Sequence, residues 1–252
     1  MSTFEVCCDM GEGYGNWRYG DDEAIMPYIS SINLATGGHA GDPMIMEKTI
    51  DLAVEHGLAI GAHPGFPDKL NFGRRVIPFE PFEFAAILTY QIGALQGFLK
   101  VKGQELHHVL PHGATYNYIR NDDAVGEAAA KAIHAVAPGA IAYWPAPTDI
   151  VYTQTLRSLG HTVIPLVVAD MKYTPEGVIL IERKKAMTDI DLVRAQVENV
   201  LTNSSLLTQG GEPFPVEEVK GILFHSDGPN AVDVAKAIQE EVQRSGSLVG
   251  AS

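Results

Sequence analysis

Cysteine is almost absent from this chain. The 252 residues contain two cysteines, Cys7 and Cys8, and they are adjacent. Neighbouring cysteines cannot supply the spaced pairs of a disulfide framework, and chains without such a framework are typical of reducing compartments. The sequence therefore predicts a cytoplasmic protein whose fold depends on a packed core.

Basic residues are scarce as well. Lys and Arg number 18 against 31 Asp and Glu, which gives a formal net charge of −13 and a pI near 5.0. This net charge repels nucleic acids and anionic membranes, so neither is expected as a partner. The sequence also lacks an apolar run of the roughly 18 residues that span a bilayer, and it lacks an N-terminal signal pattern. Small substrates and protein partners remain.

Apolar sequence is abundant and recurs in a regular order. Hydrophobic residues make up 46% of the chain and charged residues 19%, which is enough for one large core in a single domain over residues 1–252. Short apolar runs alternate with amphipathic stretches in seven strand-to-helix units, an order that predicts a barrel of parallel strands. The predicted strands are Phe4–Cys8, Ser31–Ala35, the run that begins at Leu58, His108–Leu110, Ala140–Trp144, Thr162–Ala169 and Gly221–Phe224.

Helix signals lie between these strands. Asp42 and Pro43 predict the N-cap and the first residue of a helix that ends near His56. Further predicted helices begin at, or are capped by, Pro81, Asn121, Thr148, Thr188 and Pro229, with a possible extra strand at Val178–Ile181 and a possible hairpin within Asn203–Pro215.

Ionisable side chains recur where the predicted strands end. In Leu58–Asp68, with the sequence LAIGAHPGFPD, a buried run leads directly into Gly61 and His63. The carboxyl ends of parallel barrel strands meet at one mouth, where such enzymes place their sites, so we expect these side chains to converge. The sequence thus indicates an enzyme, with candidate catalytic residues Asp9, Glu12, His39, His63, His112, Asp170 and His225.

Carboxylates and imidazoles together suit two kinds of site. Asp9, His39 and His63 could bind a divalent metal. Without a metal, an imidazole with an ordinary pKa of about 6.5 beside a carboxylate can still transfer protons. The spacing leaves both alternatives open. The histidines on predicted helices, beside strands or in connectors are expected to be structural or solvated: His56, His107, His108, His134 and His161.

Candidate substrate-binding residues lie in the same loops. Arg74 and Arg75 could clamp a carboxylate or phosphate, the alternative being a solvated pair on the surface. Gly11–Gly15 superficially resembles a phosphate loop but lacks the lysine of GxxxxGK[ST], so a nucleotide site of that kind is not expected in this chain. The full set of candidate substrate-binding residues is Arg74, Arg75, Tyr116, Asn117 and Asp227.

Several motifs resemble those of a known family. In order along the chain they are Asp9–Gly13 (DMGEG), His39–Pro43 (HAGDP), Gly61–Asp68 (GAHPGFPD), Gly73–Arg75 (GRR), Tyr90–Gln96 (YQIGALQ) and Pro111–Asn117 (PHGATYN). They are similar to motifs of the LamB/YcsF family. The resemblance implies a seven-stranded (β/α) barrel of the glycoside hydrolase/deacetylase type. It also implies ATP-dependent opening of the lactam 5-oxoproline to glutamate, by a 5-oxoprolinase subunit that works with two others and obtains ATP chemistry through them.

Some positions depart from the family pattern. The family has lysine where this chain has Leu110, and arginine where it has Met171. Two cations that could stabilise a developing anion are therefore missing, and we expect an altered substrate. The remaining departures are Cys7 in place of asparagine, Thr36–Gly38 in place of Cys-Gly-Phe, and Ser226 in place of glycine.

Three functions stay open on the sequence alone. The first is hydrolysis of a lactam or cyclic amide in the manner of 5-oxoprolinase, with partner subunits. The second is a metal-dependent, deacetylase-like amidohydrolase in which Asp9, His39 and His63 bind the metal. The third is a non-catalytic regulatory or scaffold subunit.

Overall fold

Seven parallel strands close into a barrel, as the sequence predicts. The computed structural model describes residues 3–182, 185–217 and 219–251. The barrel closes because its first strand pairs in parallel with both the second strand and the last. Its strands are β1 (Thr3–Met10), β2 (Ser31–Ala35), β3 (Ala59–His63), β4 (His108–Val109), β5 (Ile141–Pro145) and β6 (Val163–Val168) and, after the antiparallel hairpin of β7 (Ser205–Leu207) and β8 (Pro213–Pro215), β9 (Gly221–His225).

Helices cover the outside of the barrel. They are α1 (Asp22–Ile25), α2 (Pro43–Glu55), α3 (Pro81–Val101), α4 (Thr115–Asn121), α5 (Asp123–Val136), α6 (Val151–Ser158), α7 (Ile190–Asn203) and α8 (Ala231–Arg244), followed by the short strand β10 (Leu248–Val249). The strands are therefore buried on both faces, which explains their nearly continuous apolar sequence. All five residues of β2 are buried.

The predicted N-cap of α2 is confirmed. The Asp42 side chain accepts hydrogen bonds from the backbone N–H groups of Met44 and Ile45, and Pro43 occupies the first turn. Proline is tolerated there because its missing N–H would have had no partner within the helix. The helix ends at the predicted position, with His56 as its C-cap.

Three sequence-based predictions need correction. Asn121 does not cap a helix; it is the last residue of α4, an unpredicted helix, and Asp122 caps α5 instead. The cap of α7 is Asp189 rather than Thr188. Val178–Ile181 does not form a strand but contributes one isolated bridge, from Ile179 to Tyr173. In the first two cases an aspartate close to the predicted residue satisfies the helix N–H groups. The predicted hairpin is confirmed by β7 and β8.

The strand register brings polar residues of neighbouring strands side by side. Asp9 on β1 lies opposite Asn33 on β2 and opposite His225 on β9. Asn33 in turn lies opposite Gly61 on β3, and Ala35 lies opposite His63. Polar side chains separated widely in sequence thus form one row around the barrel wall, near the carboxyl ends of the strands.

Among the described residues, one helix, α3, is long and apolar enough to cross a membrane by length and composition alone. Its apolar positions include Phe84, Leu88 and Leu95, which are fully buried, and the helix packs against α2, α5 and β3. Core helices of globular proteins have the same composition, so α3 gives little support for a membrane partner.

Gly61→Ala should destabilise the barrel. An added Cβ would overlap the buried ring of His108, so we expect the free energy of unfolding, measured by chemical denaturation, to fall by at least about 2 kcal/mol. Gly97→Ala is the matched control, because Gly97 lies on the exposed side of α3 with open space beside it. Alanine there should stabilise the helix by about 0.5–1 kcal/mol. Equal effects of the two substitutions would contradict the packing argument.

Candidate active site

Turns at the carboxyl ends of the strands bring three imidazole rings together. His39 and His112 stack in parallel with ring centroids 3.5 Å apart, and His63 meets both rings edge-on. Two glycines leave the space that these rings need. A Cβ at Gly65 would lie 2.6 Å from His39 Nδ1, and a Cβ at Gly73 would lie 2.6 Å from His39 Cβ.

The nitrogens of His63 and His112 that face each other need a positive charge between them. His63 Nδ1 donates to the Leu110 carbonyl oxygen at 2.6 Å, and His112 Nε2 donates to the Phe72 carbonyl oxygen at 2.9 Å. Each ring therefore turns its other nitrogen inward, and His63 Nε2 lies 2.9 Å from His112 Nδ1. Two lone pairs at this separation repel each other, so a proton or a cation must be shared between the rings.

Glu12 and His39 form a second close pair. His39 Nε2 lies 3.0 Å from Glu12 Oε1, and both side chains are buried. Burial, together with the Asp9 and Asp227 carboxylates, raises the pKa of Glu12 well above its usual range. Burial and the neighbouring His63 lower the pKa of His39. Both shifts favour a neutral pair in which one proton lies between the carboxyl oxygen and the imidazole nitrogen.

Glu12, His39, His63 and His112 fit a divalent cation. Their ligand atoms all lie within 4.8 Å of one another, and three neighbouring pairs are 2.9, 3.0 and 3.6 Å apart. Ligands of a tetrahedral zinc ion, bound at about 2.0–2.1 Å, are separated by about 3.3 Å. One divalent ion could also replace the two protons that these pairs share. The predicted metal set of Asp9, His39 and His63 thus shares two members with this cluster.

Asp9 contacts the cluster from one side. Its Oδ2 lies 3.1 Å from His63 Nε2 and 3.7 Å from His225 Nε2. Burial alone would raise the pKa of Asp9, but the nearby His63 and His225 outweigh it and hold the pKa below its usual range. The side chain is therefore an ionised carboxylate that can orient imidazoles and accept a proton.

Asp170 orients His225. It accepts hydrogen bonds from the His225 backbone N–H at 3.1 Å and from His225 Nδ1 at 2.9 Å, and it is also paired with Lys185. Although burial alone raises the pKa of Asp170, Lys185 and His225 hold it below the usual range. An ionised carboxylate on Nδ1 leaves His225 Nε2 free to face Asp9, which is the arrangement of an oriented acid–base histidine.

The two predicted arginines have different surroundings. Arg74 lines the cavity and forms a buried ion pair of 2.6 Å with Asp227. Arg75 is exposed and does not line the cavity, so the structure does not bring it to the other site residues. Asn117 lies half-buried on α4 and is also outside the cavity lining. Tyr116 lines the cavity and stacks on Trp144.

A small cavity of about 50 Å³ opens onto these groups. Its polar lining residues include Asp9, His63, His112, His225 and Arg74. Its apolar wall is formed by Leu110, Pro145, Val168, Met171, Ile179, Ile181 and Leu223. Two positions that depart from the family pattern, Leu110 and Met171, thus belong to the apolar wall.

Three polar residues of the site are absent from the sequence-based prediction. Lys185 pairs with Asp170 from a distant loop, and nothing in the local sequence signals that contact. Asn33 donates to Asp9 Oδ1 at 2.9 Å, and His108 Nε2 lies 2.8 Å from Asn33 Oδ1. A signal for Asn33 was available, because a polar residue in the middle of a fully buried strand needs a partner. His108, which the sequence predicts to be structural or solvated, is fully buried.

Comparisons with known proteins agree with the barrel. The sequence model of the LamB/YcsF family matches residues 4–251. Two proteins, each described as a 5-oxoprolinase subunit, are similar over nearly their whole length. The one from Bacillus cytotoxicus is 36% identical over 251 residues, covering 99% of this chain and 98% of that protein. The one from Shouchella clausii is 39% identical over 253 residues, covering 100% and 99%.

Solved structures show the same architecture. A lactam utilization protein from Thermus thermophilus superposes with a TM-score of 0.88 and 34% identity, and the match covers 100% of both chains. A polysaccharide deacetylase from Bacillus cereus superposes with a TM-score of 0.50 and 14% identity, covering 100% of this chain and 92% of the other. At that identity the second likeness concerns the fold alone.

Stability should depend on the pH through Asp22, which supports the turn that carries Glu12. Asp22 Oδ2 accepts from the Gly11 N–H at 2.8 Å, and burial raises the pKa of Asp22 to about 6. Because the pKa is raised in the folded state, the associated stability is present below the ordinary pKa and is lost as the pH rises through about 6.

Asp22→Asn should remove this dependence. Between pH values below and above that pKa, the free energy of unfolding of the wild type should fall by up to about 3 kcal/mol relative to the variant. The measurement is urea denaturation at a series of pH values. Asp233→Asn, at an exposed position in the first turn of α8, is the matched control. A pH dependence that is unchanged in Asp22→Asn would show the assignment to be wrong.

Proposed function

Because the chain belongs to the LamB/YcsF family, we propose that it is the ring-opening subunit of a lactam hydrolase of the 5-oxoprolinase type. The observation that carries the proposal is the contact of buried Asp9 with His63 and His225 beside a small cavity. Such a group of ionisable side chains suits proton transfer at an amide bond. The relatives described as 5-oxoprolinase subunits support a lactam as the substrate.

In the proposed mechanism Asp9 is the general base and His225 is the general acid of amide hydrolysis. Asp9 Oδ2 accepts a proton from a water molecule as the water oxygen bonds to the lactam carbonyl carbon. His225 Nε2, which Asp170 holds toward the cavity, donates a proton to the lactam nitrogen as the C–N bond breaks. Because His225 Nε2 and Asp9 Oδ2 are 3.7 Å apart, the proton gained at Asp9 can restore the imidazolium. Arg74 is the one Lys or Arg among the described cavity-lining residues, and its N–H groups that are not bound to Asp227 can donate to the developing oxyanion.

Partner subunits are part of the proposal. The relatives' description as subunits indicates an assembly. The sequence lacks a GxxxxGK[ST] phosphate loop, so ATP chemistry would come from a partner rather than from this chain. The low cysteine content favours the cytoplasm as the place of assembly.

A metal-dependent amidohydrolase is the second candidate function. It is favoured by the cluster of Glu12, His39, His63 and His112, which would hold the ion. These residues would hold the cation, which would supply Lewis-acid polarisation of the substrate carbonyl. Asp9 would then orient His63 from outside the ligand set. Stoichiometric metal in the purified protein, with acetate release from acetylated sugars, would favour this function over ATP-linked lactam opening.

The free-energy cost of burying the ionisable groups of the site disfavours a purely structural role. Buried ionisable groups reduce stability unless every one of them is paired, and apolar replacements of similar volume often stabilise a protein. This chain nevertheless buries Asp9, Glu12 and three histidines beside a cavity. The presence of such a group supports a catalytic role rather than a scaffold role.

The apolar wall favours an uncharged ring over 5-oxoproline. With the scissile amide facing the ionisable residues, the rest of the ring lies against apolar lining residues such as Leu110, Met171 and Ile181. A ring carboxylate would meet no unpaired cation among the described cavity-lining residues, since Arg74 is bound to Asp227. A cavity of about 50 Å³ holds about three to five water molecules, which is the size of one small lactam.

His225→Asn should lower lactam hydrolysis by about 10²- to 10⁴-fold in kcat/KM, because Asn can keep the bond to Asp170 but lacks the Nε2 acid. The assay follows the ring-opened amino acid formed from a panel of monocyclic lactams, with ATP and the partner subunits present. His56→Asn, at an exposed histidine, is the control. An unchanged rate in His225→Asn would refute the assigned role.

The purified chain without its partner subunits should show little turnover of lactams in the same assay.

Leu110→Lys should fail to raise activity on 5-oxoproline by tenfold, a change in barrier of about 1.4 kcal/mol. One added cation does not rebuild a site in which Met171 and Thr36–Gly38 also differ from the family pattern. Steady-state kinetics with the partner subunits test this, and Leu70→Lys is the control because Leu70 is 94% exposed. A large gain from Leu110→Lys alone would show that the 5-oxoproline site is otherwise intact.

A further inference from the structure

We propose that Asn33 and His108 are positioning residues for Asp9, acting through a hydrogen-bond chain that crosses the barrel interior. Asn33 Nδ2 lies 2.9 Å from Asp9 Oδ1, His108 Nε2 lies 2.8 Å from Asn33 Oδ1, and His107 Nδ1 lies 3.0 Å from His108 Nδ1. Asp9, Asn33 and His108 are almost completely buried. This hydrogen-bond chain therefore begins with His107 at the edge of the barrel and ends on the Asp9 carboxylate of the candidate site.

The chain has only one self-consistent direction when Asp9 is ionised. A carboxylate can only accept, so Asn33 must turn its amide NH₂ group toward Asp9. Its amide oxygen then faces His108, and His108 Nε2 must carry a proton. The neutral His108 ring consequently accepts at Nδ1, where His107 donates. Each group thus fixes the orientation or the tautomer of the next.

The barrel interior is built around the His108 ring. Tyr143 stacks on one face with ring centroids 3.9 Å apart, and Gly61 leaves the space beside Nε2 that any side chain would fill. A leucine or phenylalanine would fill such a volume without needing polar partners. Instead, both nitrogens of the His108 ring are hydrogen-bonded, and the hydrogen-bond chain to which the ring belongs leads to Asp9.

Positioning of Asp9 decides which oxygen meets the imidazoles. Because Asn33 binds Oδ1, Oδ2 is the oxygen presented to His63 at 3.1 Å and to His225 at 3.7 Å. A carboxylate that could rotate freely about its Cβ–Cγ bond would lose this alignment. Neither Asn33 nor His108 lines the cavity, so they act through Asp9 and not on the substrate.

The first test observes the hydrogen-bond chain directly and does not depend on any enzymatic activity. Ring-nitrogen chemical shifts, measured by NMR on isotope-labelled full-length protein, should show His108 protonated at Nε2 and not at Nδ1. Asn33→Leu should disturb the His108 signals. It should leave those of His161 unchanged, because His161 contacts His134 and the Ala140 carbonyl oxygen rather than a member of this hydrogen-bond chain. Protonation of wild-type His108 at Nδ1 would overturn the proposal.

The second test is kinetic and rests on the proposed function. His108→Phe keeps a ring against Tyr143 but loses the donor, so kcat should fall about 10- to 100-fold with KM nearly unchanged. His108→Gln restores an N–H donor at a similar reach and should recover most of that loss. Equal losses in both variants, or full activity of His108→Phe, would refute positioning. If the wild type opens no lactam, the proposed function fails and the NMR test alone decides the inference.

Discussion

The buried negative charge of Asp9 is the constraint on which the site depends. An ionised carboxylate in a barrel interior costs several kcal/mol unless partners compensate it. Here Asn33 binds one oxygen, while His63 and His225 lie beside the other. The strand register produces this arrangement, because Asp9 lies opposite Asn33 on one neighbouring strand and His225 on the other. Pairing of the strands therefore also brings the compensating partners to the Asp9 carboxylate.

Charge compensation extends outward from Asp9 in matched pairs. Lys185 neutralises Asp170, and Arg74 neutralises Asp227. The cluster at Glu12 is different, because its shared protons can be exchanged for a cation without changing the total charge. The same side chains can therefore serve acid–base chemistry when they share protons and metal-assisted chemistry when they bind a cation. It explains why the residue types alone could not distinguish the two functions.

Much of the site could be predicted from sequence because its residues follow strands. An apolar run that ends in glycine and histidine places His63 or His112 at a barrel mouth without knowledge of side-chain contacts. His108 could not be assigned in this way, since the choice between His107 and His108 as the inward residue depends on the barrel register. Arg74 and Arg75 raise the same difficulty, because a loop conformation that includes Phe72 at a positive φ of 54° separates the buried arginine from the exposed one.

Asp9 and two of the apolar lining residues, Met171 and Ile181, belong to different parts of the chain. The Asp9 carboxylate and its partners are held by strand pairing, so a substitution there disturbs the barrel itself. Met171 and Ile181 belong to loop segments after β6 that bear on the cavity without entering the strand ladder. Loop positions tolerate exchange more readily than paired strands do. A change of substrate at a retained reaction is therefore easiest at these loop positions. The departure at Met171 has that character, whereas Leu110 donates its backbone N–H to Ala62 of β3.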